Sequence, residues 1–259
     1  MERARIDDFK QQLEQALGAV FSREELPGRV LLRCRQPAVA VAVYLAGNEG
    51  RIDIPAVRSF HIDQDQLLKD PAKICARLCA LLGKGRVLYA RQTVLARIDK
   101  RMALTFLEEH HLQVALPGKY RYGLFHQGEL VSVALFSGGR HMRDQAPDYR
   151  SFELLRFCSK SGYRVVGGLS KLLKAFITDF RPQDIMTYVD RDWTQHSNLQ
   201  TLGFEEQGYS APQAFWIVGK QRYYVPHIEG LDELRRQYPS GYLSHNGGST
   251  KLIWRLEQH

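Results

Sequence analysis

SFELLRFCSKSGYRVVGGLSKLLKAF, residues Ser151–Phe176, joins three local patterns end to end. Phe152, Leu154, Leu155 and Phe157 form a short apolar run suited to a central strand. A basic turn follows, with Gly167 and Gly168 at its end. Leu169, Leu172, Leu173 and Phe176 then repeat at helical spacing. Two glycines at the mouth of a helix let the backbone come close to a ligand. The free N–H groups of the first helical turn face outward there, and the helix dipole favours negative charge. Arg164 and Lys171 flank the turn and add positive charge. The arrangement suits a phosphate or pyrophosphate. The same residues also suit a plain strand–turn–helix with a Gly-rich corner.

Working outward, Asp184–Val189 (DIMTYV) reads as a further strand, followed by a polar segment and Leu202-Gly203-Phe204. Upstream, Val87–Ile98 reads as a strand and Lys100–Leu112 as a helix. Tyr120–Phe125 and Leu130–Phe136 read as a hairpin around Gln127-Gly128. Gly138–Arg150 reads as a polar, basic loop. Nearer the N-terminus, residues 5–17 show a helical pattern. Val30–Leu32 and Val39–Leu45 read as short apolar strands, the second with the continuous run of a strand buried on both faces, and Arg51–Arg58 as a further strand. Asp70–Leu82 reads as a helix with Asp70 as its cap and Pro71 in first position. Gly83-Lys84-Gly85 ends it. Beyond the central stretch, Ala214–Val218, Tyr223–Val225 and Lys251–Leu256 read as strands, with a short helix at Leu231–Gln237. The expected class is α/β (α+β): a mixed sheet flanked by helices, preceded by a small α/β domain. The expected boundary lies at 83–86, giving domains 1–85 and 86–259.

The 259-residue chain carries 36 Lys and Arg against 28 Asp and Glu, a net charge of +8. Such a surface attracts phosphates, whether of a nucleotide cofactor or of nucleic acid. The positive residues are spread along the chain rather than gathered in a tail. No apolar run is long enough to span a bilayer. The opening MERARIDDFKQQLEQAL lacks the apolar region of a signal peptide, so the expected location is the cytoplasm, with no membrane partner. Among Cys34, Cys75, Cys79 and Cys158 no second pair stands at zinc-site spacing. Reduced, mostly buried thiols are expected, and no metal ligands.

Arg164-x-x-Gly167-Gly168-Leu169 resembles the R/Q-x-x-G-x-G/A signature of the GNAT acyltransferase superfamily, which cradles the pyrophosphate of acetyl-CoA. Leu169 departs from the Gly or Ala of that signature. Leu202-Gly203-Phe204 resembles the superfamily's "LGF" end, and the order of elements from about residue 88 onward is similar. The resemblance implies an N-acyltransferase that uses acetyl-CoA or another acyl-CoA and acts on an unidentified amine. It places cofactor contacts at Cys158, Ser159, Arg164, Val166, Gly167, Gly168, Leu169, Ser170 and Lys171. Glu153, eleven positions before Arg164, matches the place of a general base. Strand N–H groups near Phe157–Ser159 would hold the carbonyl. The superfamily's acid Tyr falls on Leu199 here; Tyr188, His196 or Tyr209 could take its place, and the sequence does not choose.

A second resemblance covers DQLLKDPAKICARLCALLG (Asp65–Gly83), RVLYARQTVL (Arg86–Leu95), FLEEHHLQ (Phe106–Gln113), Glu153–Lys174, TYVDRDW (Thr187–Trp193) and YLSHNGGSTKLIW (Tyr242–Trp254). These are similar to phage and mobile-element proteins that join a very-short-patch-repair-like nuclease domain to a GNAT-like domain. This implies an alternative function: a DNA-associated protein whose GNAT-like fold binds nucleic acid without acyl transfer. The nuclease half of the pattern needs an Asp and an Asp/Glu-x-Lys to hold a metal ion. Glu49, Asp53, Asp63 and Asp65 form no Glu-x-Lys. Residues 1–85 are therefore expected to be reduced and non-catalytic, with these carboxylates solvated on the surface.

Overall fold

The computed structural model describes residues 2–48, 50–193 and 199–256. In chain order its elements begin with α1 (Glu2–Leu17), β1 (Ser22–Leu26), β2 (Arg29–Cys34), β3 (Val39–Tyr44), β4 (Arg58–Asp63), α2 (Gln64–Lys69) and α3 (Pro71–Leu81). They continue with β5 (Arg86–Tyr89), β6 (Val94–Arg97), α4 (Lys100–His110), β7 (Tyr120–His126), β8 (Glu129–Phe136), β9 (Arg140–His141), β10 (Arg150–Ser159) and β11 (Tyr163–Val166). Last come α5 (Gly168–Phe180), β12 (Asp184–Asp190), β13 (Glu205–Tyr209), β14 (Ala214–Val218), β15 (Gln221–Val225), α6 (Ile228–Gln237), β16 (Tyr242–His245) and β17 (Ser249–Arg255). The class is mixed α/β, with sheets flanked by helices.

Packing divides the chain into two compact units. The first comprises Met1–Cys75, Val189–Ser197 and Tyr209–Thr250; the second comprises Ala76–Tyr188, Asn198–Gly208 and Lys251–His259. A division at 83–86 follows the order of the chain. The packing instead gathers two later segments with the N-terminal one.

In the first unit β1–β4 form a sheet in that order, antiparallel from β1 to β3 and parallel between β3 and β4. Every residue of β3, VAVAVY, is buried, which explains its unbroken apolar run. Ile6, Phe9, Leu13 and Leu17 bury one stripe of α1. The strand expected over 51–58 lies instead at Arg58–Asp63, in register with β3. β14 pairs with β15 and β16, and Trp216, Val225 and Leu231 form a small core there.

Asp63 and Asp65, expected on the surface, are only 1% and 3% exposed. A carboxylate can be buried this deeply only when it is paired and hydrogen-bonded. Arg51 reaches Asp63 at 2.7 and 3.1 Å and Asp192 at 3.0 and 2.8 Å. Arg222 reaches Asp65 at 3.0 and 2.6 Å and Asp63 at 2.7 Å, while Ser244 adds a bond to Asp63. Burial by itself raises the Asp63 pKa, but the two guanidiniums outweigh it and hold the carboxyl below its ordinary value. His61, 2.8 Å from the Tyr44 hydroxyl, is pushed down by burial. This cluster draws on all three segments of the unit.

In the second unit the main sheet runs β13-β17-β12-β10-β8-β7-β6, with β9 on the edge of β10. α5 covers one face. Phe176 stacks on Phe136 with ring centroids 3.8 Å apart and meets Tyr120, Tyr122, Phe152 and Phe180. α4 covers the other face through Ala103, Phe106 and Leu107, which pack with Ile98, Val133, Leu135 and Cys158. Asp99 caps α4 through the Met102 N–H. The β7–β8 hairpin turns at Gln127 and Gly128, both with positive φ as the sequence expectation requires.

The single strand expected over 87–98 is two strands in two sheets. β5 pairs in parallel with β11, and β6 pairs with β7. Between them a tight turn forms in which the Thr93 hydroxyl donates to the Ala90 carbonyl at 2.6 Å. The turn after β10 likewise contains a strand, β11, that the sequence pattern did not separate from it.

Candidate functional site

Two strands of the second unit begin side by side and then part. β10 and β12 pair in parallel at Ser151–Asp184, Phe152–Ile185 and Glu153–Met186. At the next position the Leu154 carbonyl accepts from the Thr187 hydroxyl at 2.9 Å, and the ladder goes no further. A bulge at Leu155 accompanies the divergence, since Leu154 faces Phe136 on β8 and Arg156 faces the adjacent Leu135. The bulge shifts the alternation by one. Glu153, Arg156 and Cys158 thus share the α4 side, whereas an unbroken strand would place Glu153 and Arg156 on opposite faces.

Beyond the bulge β10 keeps its pairing with β8. Lys160 N–H reaches the Val131 carbonyl at 2.9 Å, which fixes the phase of the antiparallel ladder. By alternation the main chains of Arg156 and Cys158 turn to β8, and the N–H groups of Phe157 and Ser159 turn to the opposite edge, where β12 has diverged. Such N–H groups can hold a carbonyl or amide oxygen.

The turn at Gly167 lies downstream of the same strand. Gly167 has φ +76° and caps α5, and no side chain caps the helix in its place. A Cβ at Gly167 would meet only the Ala90 methyl, at 3.6 Å. Gly168 is a packing glycine, where a Cβ would lie 2.9 Å from Val165. The first-turn N–H groups of Gly168, Leu169 and Ser170 precede the first intrahelical bond, made by Lys171 N–H to the Gly167 carbonyl. Arg164 and Val166 are exposed beside the turn.

Lys171 is committed elsewhere. Its ammonium donates to the carbonyls of Ala90 at 2.9 Å and Thr93 at 2.5 Å, which ties the turn before β6 to α5. Cys158 is a core residue, 2% exposed, among Leu107, Val133 and Leu135. Ser159 lies 3.3 Å from the Ser132 hydroxyl.

Glu153 is half-buried, and its N–H donates to the Ser137 hydroxyl at 2.9 Å. Burial lowers the Arg156 pKa, and the charge of Glu153 opposes that fall. Register places Met186 and Tyr188 of β12 on the Glu153 side of the sheet, with Tyr188 47% exposed. Farther back on this side Asp184 accepts from Ser151 at 2.5 Å and Tyr149 at 2.8 Å. Burial and this carboxylate push the Tyr149 phenol up to about 12. The sequence reading passed over Ser137 and Tyr149, neither of which sits in a local motif. His196 lies outside the described residues. His110, in the FLEEHHLQ segment, packs edge-on against Phe106 and bonds Ser161.

No protein-family model matches the sequence, and no curated protein matches it. Solved structures with a partial likeness include the ribosomal-protein-S18-alanine N-acetyltransferase from Escherichia coli, at 12% identity and TM-score 0.40, covering 64% of this chain and 96% of that one. Ard1 from Thermoplasma volcanium is similar at 10% identity and TM-score 0.42, covering 64% and 99%. A GNAT family acetyltransferase from Elizabethkingia anophelis with acetyl-CoA bound is similar at 11% identity and TM-score 0.36, covering 64% and 99%. The overlap is partial in each, and no residue role passes from them to this chain.

Proposed function

We propose that the second unit is a GNAT-like N-acyltransferase that binds acetyl-CoA or a related acyl-CoA and transfers the acyl group to an amine. The observation that carries this reading is the parting of β10 and β12 after Glu153, upstream of an uncapped helix N-terminus at Gly167. A thioester needs an extended slot with N–H donors, and its pyrophosphate needs an anion site; the one strand–turn–helix supplies both. The N–H groups of Gly168–Ser170 would take the pyrophosphate, with Arg164 adding positive charge beside them. Lys171 supports that turn from behind, through Ala90 and Thr93, rather than by touching phosphate.

In the reaction the amine nitrogen attacks the thioester carbonyl. Glu153 accepts the proton that the nitrogen loses, directly or through one water. The Phe157 or Ser159 N–H steadies the tetrahedral oxyanion. The C–S bond then breaks, and the thiolate takes a proton from Tyr188, the exposed phenol on the Glu153 side. Calorimetry with acetyl-CoA tests the reading. The parent protein is expected to bind, and Gly167→Asp is expected to abolish binding by setting a carboxylate against the pyrophosphate. Asp tolerates positive φ better than most residues, and the site has room for its Cβ, so the variant is expected to fold. Equal binding by both proteins refutes the proposal.

A further inference from the structure

β5 and β11 make a two-stranded parallel ribbon, with Val87 beside Arg164 and Tyr89 beside Val166. Alternation gives the ribbon two unlike faces. Leu88 and Val165 are buried on one. Val87, Tyr89 and Val166 are 45%, 45% and 37% exposed on the other, and the exposed Arg164 joins them there. An apolar, aromatic strip facing water is unusual on a two-stranded ribbon, where polar residues cost nothing. Arg91 lies over the Tyr89 ring, 4.9 Å from its centroid. Among the described residues neither Arg91 nor Arg164 takes part in an ion pair, so both charges are available to an anion. The strip runs through Val166 into Gly167, and Ala90, next to Tyr89, is the residue that a Cβ on Gly167 would meet.

We infer that this ribbon face binds the adenosine 3′-phosphate end of the acyl-CoA, an inference that rests on the acyltransferase reading of the adjoining turn. The purine lies on the Tyr89 ring and the flanking Val87 and Val166 side chains, and Arg164 and Arg91 face the 3′-phosphate. A purine has an extended π face and pairs with aromatic and guanidinium groups by stacking, whatever its edge contacts. A phosphate beside the ring matches unpaired arginines. Both features are on one exposed face, continuous with the turn proposed for the pyrophosphate. The ribbon thus makes Tyr89 a specificity residue for the nucleotide rather than for the acyl group.

The test separates this inference from the reading it rests on by using four probes in calorimetry: acetyl-CoA, dephospho-CoA, 4′-phosphopantetheine and adenosine 3′,5′-bisphosphate. Tyr89→Ala is expected to weaken acetyl-CoA and the bisphosphate by roughly tenfold or more, as loss of a base stack does. It should leave 4′-phosphopantetheine unchanged, and Tyr89→Phe should restore the parent affinities. Arg164→Gln is expected to weaken acetyl-CoA more than dephospho-CoA. Equal loss for all probes, or no loss for any, overturns the assignment of Tyr89. If the parent protein binds acetyl-CoA but the Tyr89→Ala variant binds it equally well, the acyltransferase reading stands and this inference falls. If the parent binds the bisphosphate through Tyr89 but does not bind acetyl-CoA, the ribbon site stands and the acyltransferase reading falls. Failure of the parent to bind either probe overturns both.

Discussion

Replacing Arg222 by Met removes one of two guanidiniums that face three buried carboxylates, Asp63, Asp65 and Asp192. Three hydrogen bonds go with it, two to Asp65 and one to Asp63. Among the described residues Asp65 then has no cationic partner, and Asp63 keeps Arg51 and Ser244. Met fills a similar volume, so the loss is electrostatic rather than a cavity. Breaking a buried pair on one side costs about 3–5 kcal/mol. The pH dependence follows from Asp63, whose folded pKa is held below its ordinary value. Its contribution is fully present above the unfolded pKa of about 3.9 and is lost as pH falls through the folded value. Part of that contribution is already missing in the variant. The gap between variant and parent is therefore widest near neutral pH and narrows below about pH 4. Urea unfolding followed by tryptophan fluorescence reads this directly, because Trp193 and Trp216 are buried in the same unit. Adding Asp65→Asn to the variant should recover part of the loss. A gap under about 1 kcal/mol at pH 7, the level of a surface pair, or one that has not narrowed by about pH 2, would refute the account.

Phe176→Ala should cost about 3–5 kcal/mol in thermal or urea unfolding, because the ring is fully buried among five other aromatic residues. Asp184→Asn should bring the Tyr149 phenol down from about 12 toward its ordinary value of about 10, measured by near-ultraviolet absorbance during alkaline titration. Once an accepted amine is found, Glu153→Gln should lower kcat by about 10²–10⁴ and remove the pH inflection, while calorimetry shows acetyl-CoA affinity little changed.

Local patterns carried much of the second unit. The Gly167-Gly168 corner, the apolar stripe Leu172, Leu173 and Phe176, and the Gln127-Gly128 turn all declare themselves within a few residues. Glu153 could be singled out by its offset from Arg164, but the bulge that turns Arg156 to the same face could not. A bulge reflects how β10 meets β8, and nothing in LLRF announces it. Lys171 shows a similar limit: sequence gives its charge, while its partners Ala90 and Thr93 lie some eighty positions away. Asp63 and Asp65 read as surface residues because charge alone argues for water. Their burial depends on Arg222, which no local pattern connects to them.

The three-segment make-up of the first unit sets a timetable for synthesis. Asp63 and Asp65 leave the ribosome well before Arg222, which is about 160 residues downstream. At about 5–20 residues per second that interval is on the order of ten to thirty seconds. Throughout it the N-terminal sheet can form, with Arg51 present to meet Asp63, but the carboxylates cannot be sealed. A nascent chain that stalls before β15 therefore exposes a half-built unit to proteases, and the commitment of its first residues to a stable structure waits on some of its last.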